Sequence, residues 1–360
     1  MATSHRRRRV TIIDVASHAQ VSTAAVSKVI RNAYGVSPAM KDRVQAAIEE
    51  LGYRPHASAR AMRGRTFTIG VLLPDVTSPF FAEIINGLTE QLADTDYQAI
   101  MIQGGTTHKA ERRAIDALVD RQVDGILMVA PISSRARLEE VARDLPTVVL
   151  GRHERSAVYD TVFDDDDAGA ELAVNHLIDL GHRRIVHIAH QDNARARPAD
   201  LLHVIRAETY KRVMRDHDLA EEIAVATTSY SAEGGYDGAR QLLNRSPRPT
   251  AIFAGADQAA FGALAAVHEA GLSAPADVSV IGYDNIRLAA LPNIALTSID
   301  QDGVVMGRAV GRLLLERIEG RTPAVHFSVT PSLVVRRTTA APPGLAQDPT
   351  SATSAETAMS

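Results

Sequence analysis

Between residues 67 and 284 the chain repeats short, unbroken apolar runs separated by amphipathic stretches, and few folds accommodate that rhythm. FTIGVLLP (67–74), YQAIMIQ (97–103), DGILMVA (124–130) and TVVLG (147–151) form a first set. RIVHIAH (184–190), AIFAGA (251–256) and VSVIGYD (278–284) form a second. A strand apolar on both sides must be covered on both faces, as in a parallel sheet with helices above and below it. Helices are predicted over 80–93, around 110–121, over 168–180, around 206–217, and up to Ala270. The restart of the rhythm near residue 168 predicts two half-bodies of one α/β design, joined by crossing segments near residues 163 and 299. Ligands of open α/β sheets bind at the carboxyl ends of the strands, so a site is expected in the cleft between the halves.

The first sixty-five residues are built differently. They hold twelve Lys and Arg against four Asp and Glu, while the rest of the chain holds 27 against 39, so a total of −4 hides a basic head on an acidic body. Ile12, Ile13, Val15, Ala16 and Ala19 give one short helix an apolar face, and Val26, Val29 and Ile30 give the next another. Ala19-Gln20-Val21 forms the turn between them, and Ser22 is positioned to cap the second helix. A third helix is predicted from Ser37-Pro38 to Gly52, with Val44, Ile48 and Leu51 inside. Two such helices joined tightly form a helix-turn-helix, whose second helix enters the major groove and here turns Thr23, Ala24 and Lys28 outward. The arginines Arg6 to Arg9 extend this small all-α domain (1–52) with a phosphate-binding arm.

Composition removes several alternatives. At 360 residues, 45% apolar and 23% charged, the chain is an ordinary globular protein of two or three domains. Zero cysteines exclude disulfides, thiolate metal sites and cysteine nucleophiles, and suit a reducing cytoplasm. No secretory signal follows the arginines, and no apolar stretch reaches membrane length. Nucleotide-binding and hydrolase motifs are missing, so no enzyme activity and no cofactor is predicted. Asp164 to Asp167 read as a helix cap rather than a metal site, and the thirteen histidines show no H-E-x-x-H arrangement. Residues 338–360, small, polar and proline-containing, are expected to be disordered.

T-I-x-D-V-A at Thr11 to Ala16, V-S-x-x-x-V-S-K-V at Val21 to Val29, G-V-S at Gly35 to Ser37 and L-G-Y-x-P at Leu51 to Pro55 carry a resemblance that covers nearly the whole chain. The sequence resembles the LacI/GalR family of bacterial transcription regulators. The resemblance implies a two-lobed periplasmic-binding-protein-like effector domain with parallel sheets (67–337) behind a hinge segment (53–66). It implies a repressor, a homodimer or higher assembly on pseudo-palindromic double-stranded operator DNA, controlled by a small-molecule effector that is by default a carbohydrate or related metabolite. Thr11, Ser22, Thr23, Ala24, Ser27 and Lys28 would contact DNA, and Met62, where the family has a leucine, would wedge into the minor groove beside Arg63.

For the effector, Ser78, Phe80 and Phe81 match an N-P-F-F element, with Phe80 the ring expected to face the ligand. Arg206 matches the arginine of R-x-x-G-Y, Asp284 an effector-contacting acid, Tyr230 an aromatic wall, and Gln301 a polar contact near the hinge. Asp257 is read equally as a helix cap or a contact. Gln20 replaces a turn glycine, Arg31 an asparagine and Thr209 a glycine. Gly151 and Ala256 replace an aspartate and an asparagine common in sugar-responsive relatives; with Arg152, Arg195 and Arg197 nearby, this points to a larger or anionic effector instead of a plain monosaccharide. The rivals are a solute receptor without a DNA role, which would need export, and a nucleotide-dependent α/β enzyme, which would need a phosphate loop.

Overall fold

The computed structural model describes residues 10–30, 33–53, 65–191 and 201–344. Met62 and Arg63, like Arg6 to Arg9, Arg31, Arg195 and Arg197, lie outside the described residues. The chain divides into two units, one ending at Thr66 and one starting at Phe67.

The first unit holds α1 (Ile12–His18), α2 (Thr23–Ile30) and α3 (Pro38–Leu51). Each start is fixed locally. Thr11 and Asp14 form a reciprocal capping box, the Ser22 hydroxyl accepts from the Ala25 amide at 3.1 Å, and Ser37 accepts from Met40 at 3.3 Å. Gly52 ends α3 in the left-handed conformation, φ 60°. Val15, Ala16, Ala19, Val26, Val29, Val44, Ala47 and Tyr53 make the shared core. Ile13 is a correction: it is 67% exposed, because Ile12, Val15, Ala16 and Ala19 already fill the stripe that faces α2 and α3 and Ile13 lies off it.

Gln20 stands in the turn at φ 55°, a conformation that costs a side-chain-bearing residue free energy and costs glycine none. Gln20→Gly should therefore raise the stability of the head by roughly 0.5–1 kcal/mol after glycine's greater backbone entropy is subtracted. Thermal unfolding of the variant checks this, and a loss of stability would contradict the left-handed turn.

In the second unit, lobe 1 is a six-stranded sheet in the order β11-β5-β4-β3-β1-β2. Its strands are β1 (Thr68–Leu73), β2 (Gln98–Gln103), β3 (Gly125–Val129), β4 (Thr147–Leu150), β5 (Asp160–Asp164) and β11 (His326–Val329). Every pairing in it is parallel. Lobe 2 has the order β12-β10-β9-β8-β6-β7, from β6 (Ile185–His190), β7 (Val225–Thr228), β8 (Ala251–Ala254), β9 (Ser279–Asp284), β10 (Thr297–Asp300) and β12 (Ser332–Val334). Only β12 runs antiparallel in it.

Lobe 1 carries α4 (Pro79–Leu92), α5 (His108–Asp120), α6 (Arg135–Asp144) and α11 (Gly303–Ile318). Lobe 2 carries α7 (Asp166–Asp179), α8 (Leu202–Asp216), α9 (Ala232–Leu243) and α10 (Asp257–Glu269). The chain crosses between lobes three times: from β5 into α7, from β10 into α11, and from β11 into β12. The first two are the crossings expected near 163 and 299. The third was not legible, because HFSV and SLV are too short and too polar to read as strands.

The expected tail begins too early. Thr338 and Thr339 are 4% and 9% exposed, and the Val280 amide donates to the Thr338 carbonyl at 2.8 Å. The Ala340 amide donates to the Ser279 hydroxyl, so this stretch continues the edge of lobe 2. Its small, polar residues are held by these bonds to β9, which composition does not reveal.

Candidate functional site

On the head, α2 separates two roles. Val26 and Val29 are buried, while Thr23, Ala24 and Lys28 are exposed and Ser27 is half-buried. The Ser22 and Thr11 hydroxyls are engaged in capping α2 and α1.

In the second unit, the sequence-predicted residues fall into two groups. Arg206, Asp284, Gln301 and Tyr230 come together at the cleft. Arg206, on α8, is 2% exposed. Its Nε donates to Asp166 Oδ1 at 2.6 Å, its Nη1 to the Gly255 carbonyl at 2.8 Å, and its Cζ stands 3.5 Å above the Tyr283 ring. Tyr230 meets it at the same glycine: a Cβ on Gly255 would lie 2.1 Å from the Tyr230 hydroxyl. The Tyr230 ring is edge-on to His190 at 5.0 Å, and His190 lies 5.2 Å from His203. Asp284 ends β9 at φ 114°, a strained backbone for a residue with a side chain, and accepts from Gln301 Nε2.

The other group is a set of corrections. Phe80 is 7% exposed and packs in the lobe 1 core, its ring against Gly303 at the start of α11; Phe81 is the half-buried, more accessible ring. The helical stripe Phe80, Ile84, Leu88 explains this, since residues four apart on α4 share its inward face. Ser78 takes the N-cap position of α4 without a side-chain cap bond. Arg152 is a staple inside lobe 1: Nη1 donates to the carbonyls of Pro131 and Ser133, and Nη2 pairs with Glu154 at 2.9 Å. Asp257 does not cap its helix. Ala256 is the N-cap of α10, and the buried Asp257 carboxylate accepts from the Ser298 hydroxyl and the Ile286 amide at 2.8 Å.

The four consecutive aspartates each have their own partners. Asp164 accepts from the Tyr283 hydroxyl at 2.7 Å, and Asp165 caps α7 by accepting from Ala168. Asp166 holds Arg206 and, on its other oxygen, His153 Nε2 at 2.7 Å. Asp167 accepts from Thr209 and Arg212. Sequence reasoning found the cap and missed Asp166 and His153. Four identical neighbours offer no signal that assigns one of them to an arginine forty positions away.

Burial dominates the electrostatics. It pushes Asp284 well above the ordinary carboxylate range against the pull of Arg206, and pushes Asp164 up to about 7 with help from the Asp166 charge. It works on Asp166 too, but Arg206 and then His153 hold that carboxyl below its usual value. Burial also disfavours the Arg206 cation, and Asp166 above all keeps it charged. The site is thus a fixed arginine fork beside an acid that is easily protonated, a pairing suited to hydroxyl groups, which both donate and accept.

Contacts between the lobes close the edges of the cleft. Arg152 and Leu201 form an antiparallel bridge, Gln258 Nε2 donates to the Thr77 carbonyl at 3.2 Å, and the Arg287 amide donates to Glu83 at 3.1 Å. Gly151, at φ 76°, lies against Leu202 at that bridge, so an aspartate there would be strained. Among the described residues no group of three or more His, Cys, Asp and Glu is arranged to hold a metal ion, and no helix is long and apolar enough to cross a membrane.

Comparison with known proteins agrees with this architecture. Residues 11–56 match the family model described as bacterial regulatory proteins, lacI family, and residues 174–339 match a periplasmic binding protein-like domain. The chain is 33% identical to the HTH-type transcriptional repressor PurR of Vibrio atlanticus, over 91% of this chain and 98% of that protein. It is also 33% identical to the ribose operon repressor of Escherichia coli K12, with the same coverage. Among solved structures, the lac repressor dimer bound to operator and the anti-inducer ONPF superposes with a TM-score of 0.80 at 26% identity, covering 93% of this chain and all of that one. The protein belongs to the LacI family and is a DNA-binding transcriptional regulator, with a helix-turn-helix head followed by a two-lobed periplasmic-binding-protein-like body.

Proposed function

We propose that this regulator acts in the cytoplasm as a repressor: it binds a pseudo-palindromic operator as a homodimer, and a small polar metabolite between the lobes sets its operator affinity. The observation that carries the reading is the division of α2 into a buried Val26, Val29 face and an exposed Thr23, Ala24, Lys28 face. Thr23 and Ala24 suit apolar contact with a thymine methyl, and Lys28 suits a phosphate or a guanine edge. Met62 and Arg63 are proposed for the minor groove next to these contacts.

Arg206, Asp284, Gln301 and Tyr230 are proposed as the effector contacts. Asp164, Asp166 and Asp284 all bear on the Arg206 charge, so a neutral, hydroxyl-rich effector fits better than a strongly anionic one. The name of the ribose operon repressor puts sugars first in a screen.

Two measurements test the proposal. Selection from a randomised duplex pool under polyanion competition should enrich inverted half-sites, and Lys28→Ala should weaken their binding; a pool without enrichment counts against the head. A thermal-shift panel of ribose, galactose, cellobiose, sugar phosphates and organic acids should give a hit worth about 2.7 kcal/mol at a hundredfold excess over Kd. That hit should vanish in Arg206→Ala and Asp284→Ala, and its survival in both would remove the cleft assignment.

A further inference from the structure

We infer that Tyr283 is a positioning residue that joins the effector cleft to the crossing between the lobes, its ring carrying the Arg206 guanidinium and its hydroxyl gripping Asp164. The inference rests on the proposed role of Arg206 as an effector contact. The two ends of this one side chain serve different lobes. Tyr283 lies on β9 in the lobe 2 sheet, fully buried, with Arg206 Cζ 3.5 Å above its ring. Its hydroxyl reaches out of lobe 2 and donates at 2.7 Å to Asp164, the last residue of the lobe 1 strand β5.

Asp164 occupies a mechanically special place. It pairs with Val329, the last residue of β11, and the Asp165 amide donates to the Val329 carbonyl at 3.1 Å. Two of the three crossings therefore leave lobe 1 beside its carboxylate. The third is near, because Tyr283 pairs with Ile299 in β10, just before the chain crosses into α11. Space for the contact is built into α7: a Cβ on Gly169 would lie 2.1 Å from the Tyr283 hydroxyl. A phenol is rigid between its ends. A ligand that draws the guanidinium off the ring shifts the ring, and the hydroxyl passes the displacement to Asp164.

The chain has no cysteine, so two introduced cysteines become its only spin-label sites. We would place them at Arg112 on α5 in lobe 1, 71% exposed, and at Asp237 on α9 in lobe 2, also exposed, and measure their distance distribution in the ligand-free full chain. Tyr283→Phe keeps the stacked ring and removes the hydroxyl; Gly169→Ala displaces the hydroxyl without touching Tyr283. Both should shift or broaden the distribution by about 2 Å or more. Asp164→Asn keeps an acceptor for the hydroxyl and should leave it unchanged. Tyr210→Phe, which removes a buried hydroxyl bonded to the Ile185 carbonyl within lobe 2, should leave it unchanged as well.

A Tyr283→Phe distribution that superposes on the wild type overturns the inference. So does an equal shift in Tyr210→Phe, which would make it general softening, or a shift in Asp164→Asn, which would assign the effect to charge. Failure of the cleft reading would appear elsewhere, as panel hits that survive Arg206→Ala with these distances unaffected.

Discussion

Asp166→Ala is expected to destabilise the second unit by about 3–5 kcal/mol, because it leaves the Arg206 charge buried without its main counter-ion. Both partners are almost fully buried and 2.6 Å apart, so water cannot replace the lost oxygen. Asp166→Asn, which keeps an acceptor but no charge, should fall between. Urea unfolding of the three proteins reads the difference directly, and a loss below about 1 kcal/mol would mean that another acid takes over the guanidinium.

The same carboxylate gives the unit two pH dependences. Asp166 is held below its unfolded value, so its contribution is present above the ordinary carboxylate range and is lost as pH falls through the folded value. His153 behaves oppositely. Burial opposes its charge, but the Asp166 bond and charge outweigh burial and raise it above 6.5. Its contribution is complete below 6.5 and is lost as pH rises through the folded value. His153→Gln should flatten the alkaline side of the stability profile and weaken the acid side only in part, because Arg206 still holds Asp166 down.

The second large effect is steric. In each lobe one helix pair touches backbone to backbone through glycines. A Cβ on Gly307 of α11 would lie 2.0 Å from the Ile84 carbonyl of α4, and one on Gly87 would lie 2.1 Å from the Val304 carbonyl. In lobe 2, Gly262 and Gly235 play the same part between α10 and α9, at 1.9 and 2.0 Å from carbonyl oxygens. Helical backbones cannot yield locally, so the helices must separate and open the packing around Leu88 and Val310. Gly307→Val should cost more than about 3 kcal/mol or abolish soluble expression. Gly320→Ala, at a position with nothing within 4 Å, is the control; it meets only the strain of φ 108° and should cost far less.

What the sequence revealed follows from how local each cause is. Ser22, Ser37 and Gly52 act within one turn of their helices, so the head could be placed from its caps. The inner strands of both sheets are buried along nearly their whole length, and each shows as an unbroken apolar run. α11 escaped, since it is buried on α4 and on the sheet at once and has no clean polar face to set its period. The site divides the same way. Arg206, Asp284 and Gln301 carry family spacing, and the structure brings them together. His153, Asp166 and Tyr283 are joined to them only by long-range packing, and Phe80 was misplaced because adjacent phenylalanines look alike until the helix phase is known.

The triple crossing has a consequence for synthesis. Lobe 1 takes residues 67–164 and then 303–329, so the lobe begun first is finished last. At ribosomal speed the gap between β5 and β11 is on the order of ten seconds or more. During that interval α4 has emerged but its partner α11 has not, and Ile84 and Leu88 lack the cover that α11 gives them. Lobe 2 has most of its sheet before lobe 1 can close, so the nascent chain depends on its second half to mature the first, and a ribosome stalled between residues 164 and 303 leaves a half-lobe exposed to chaperones and proteases.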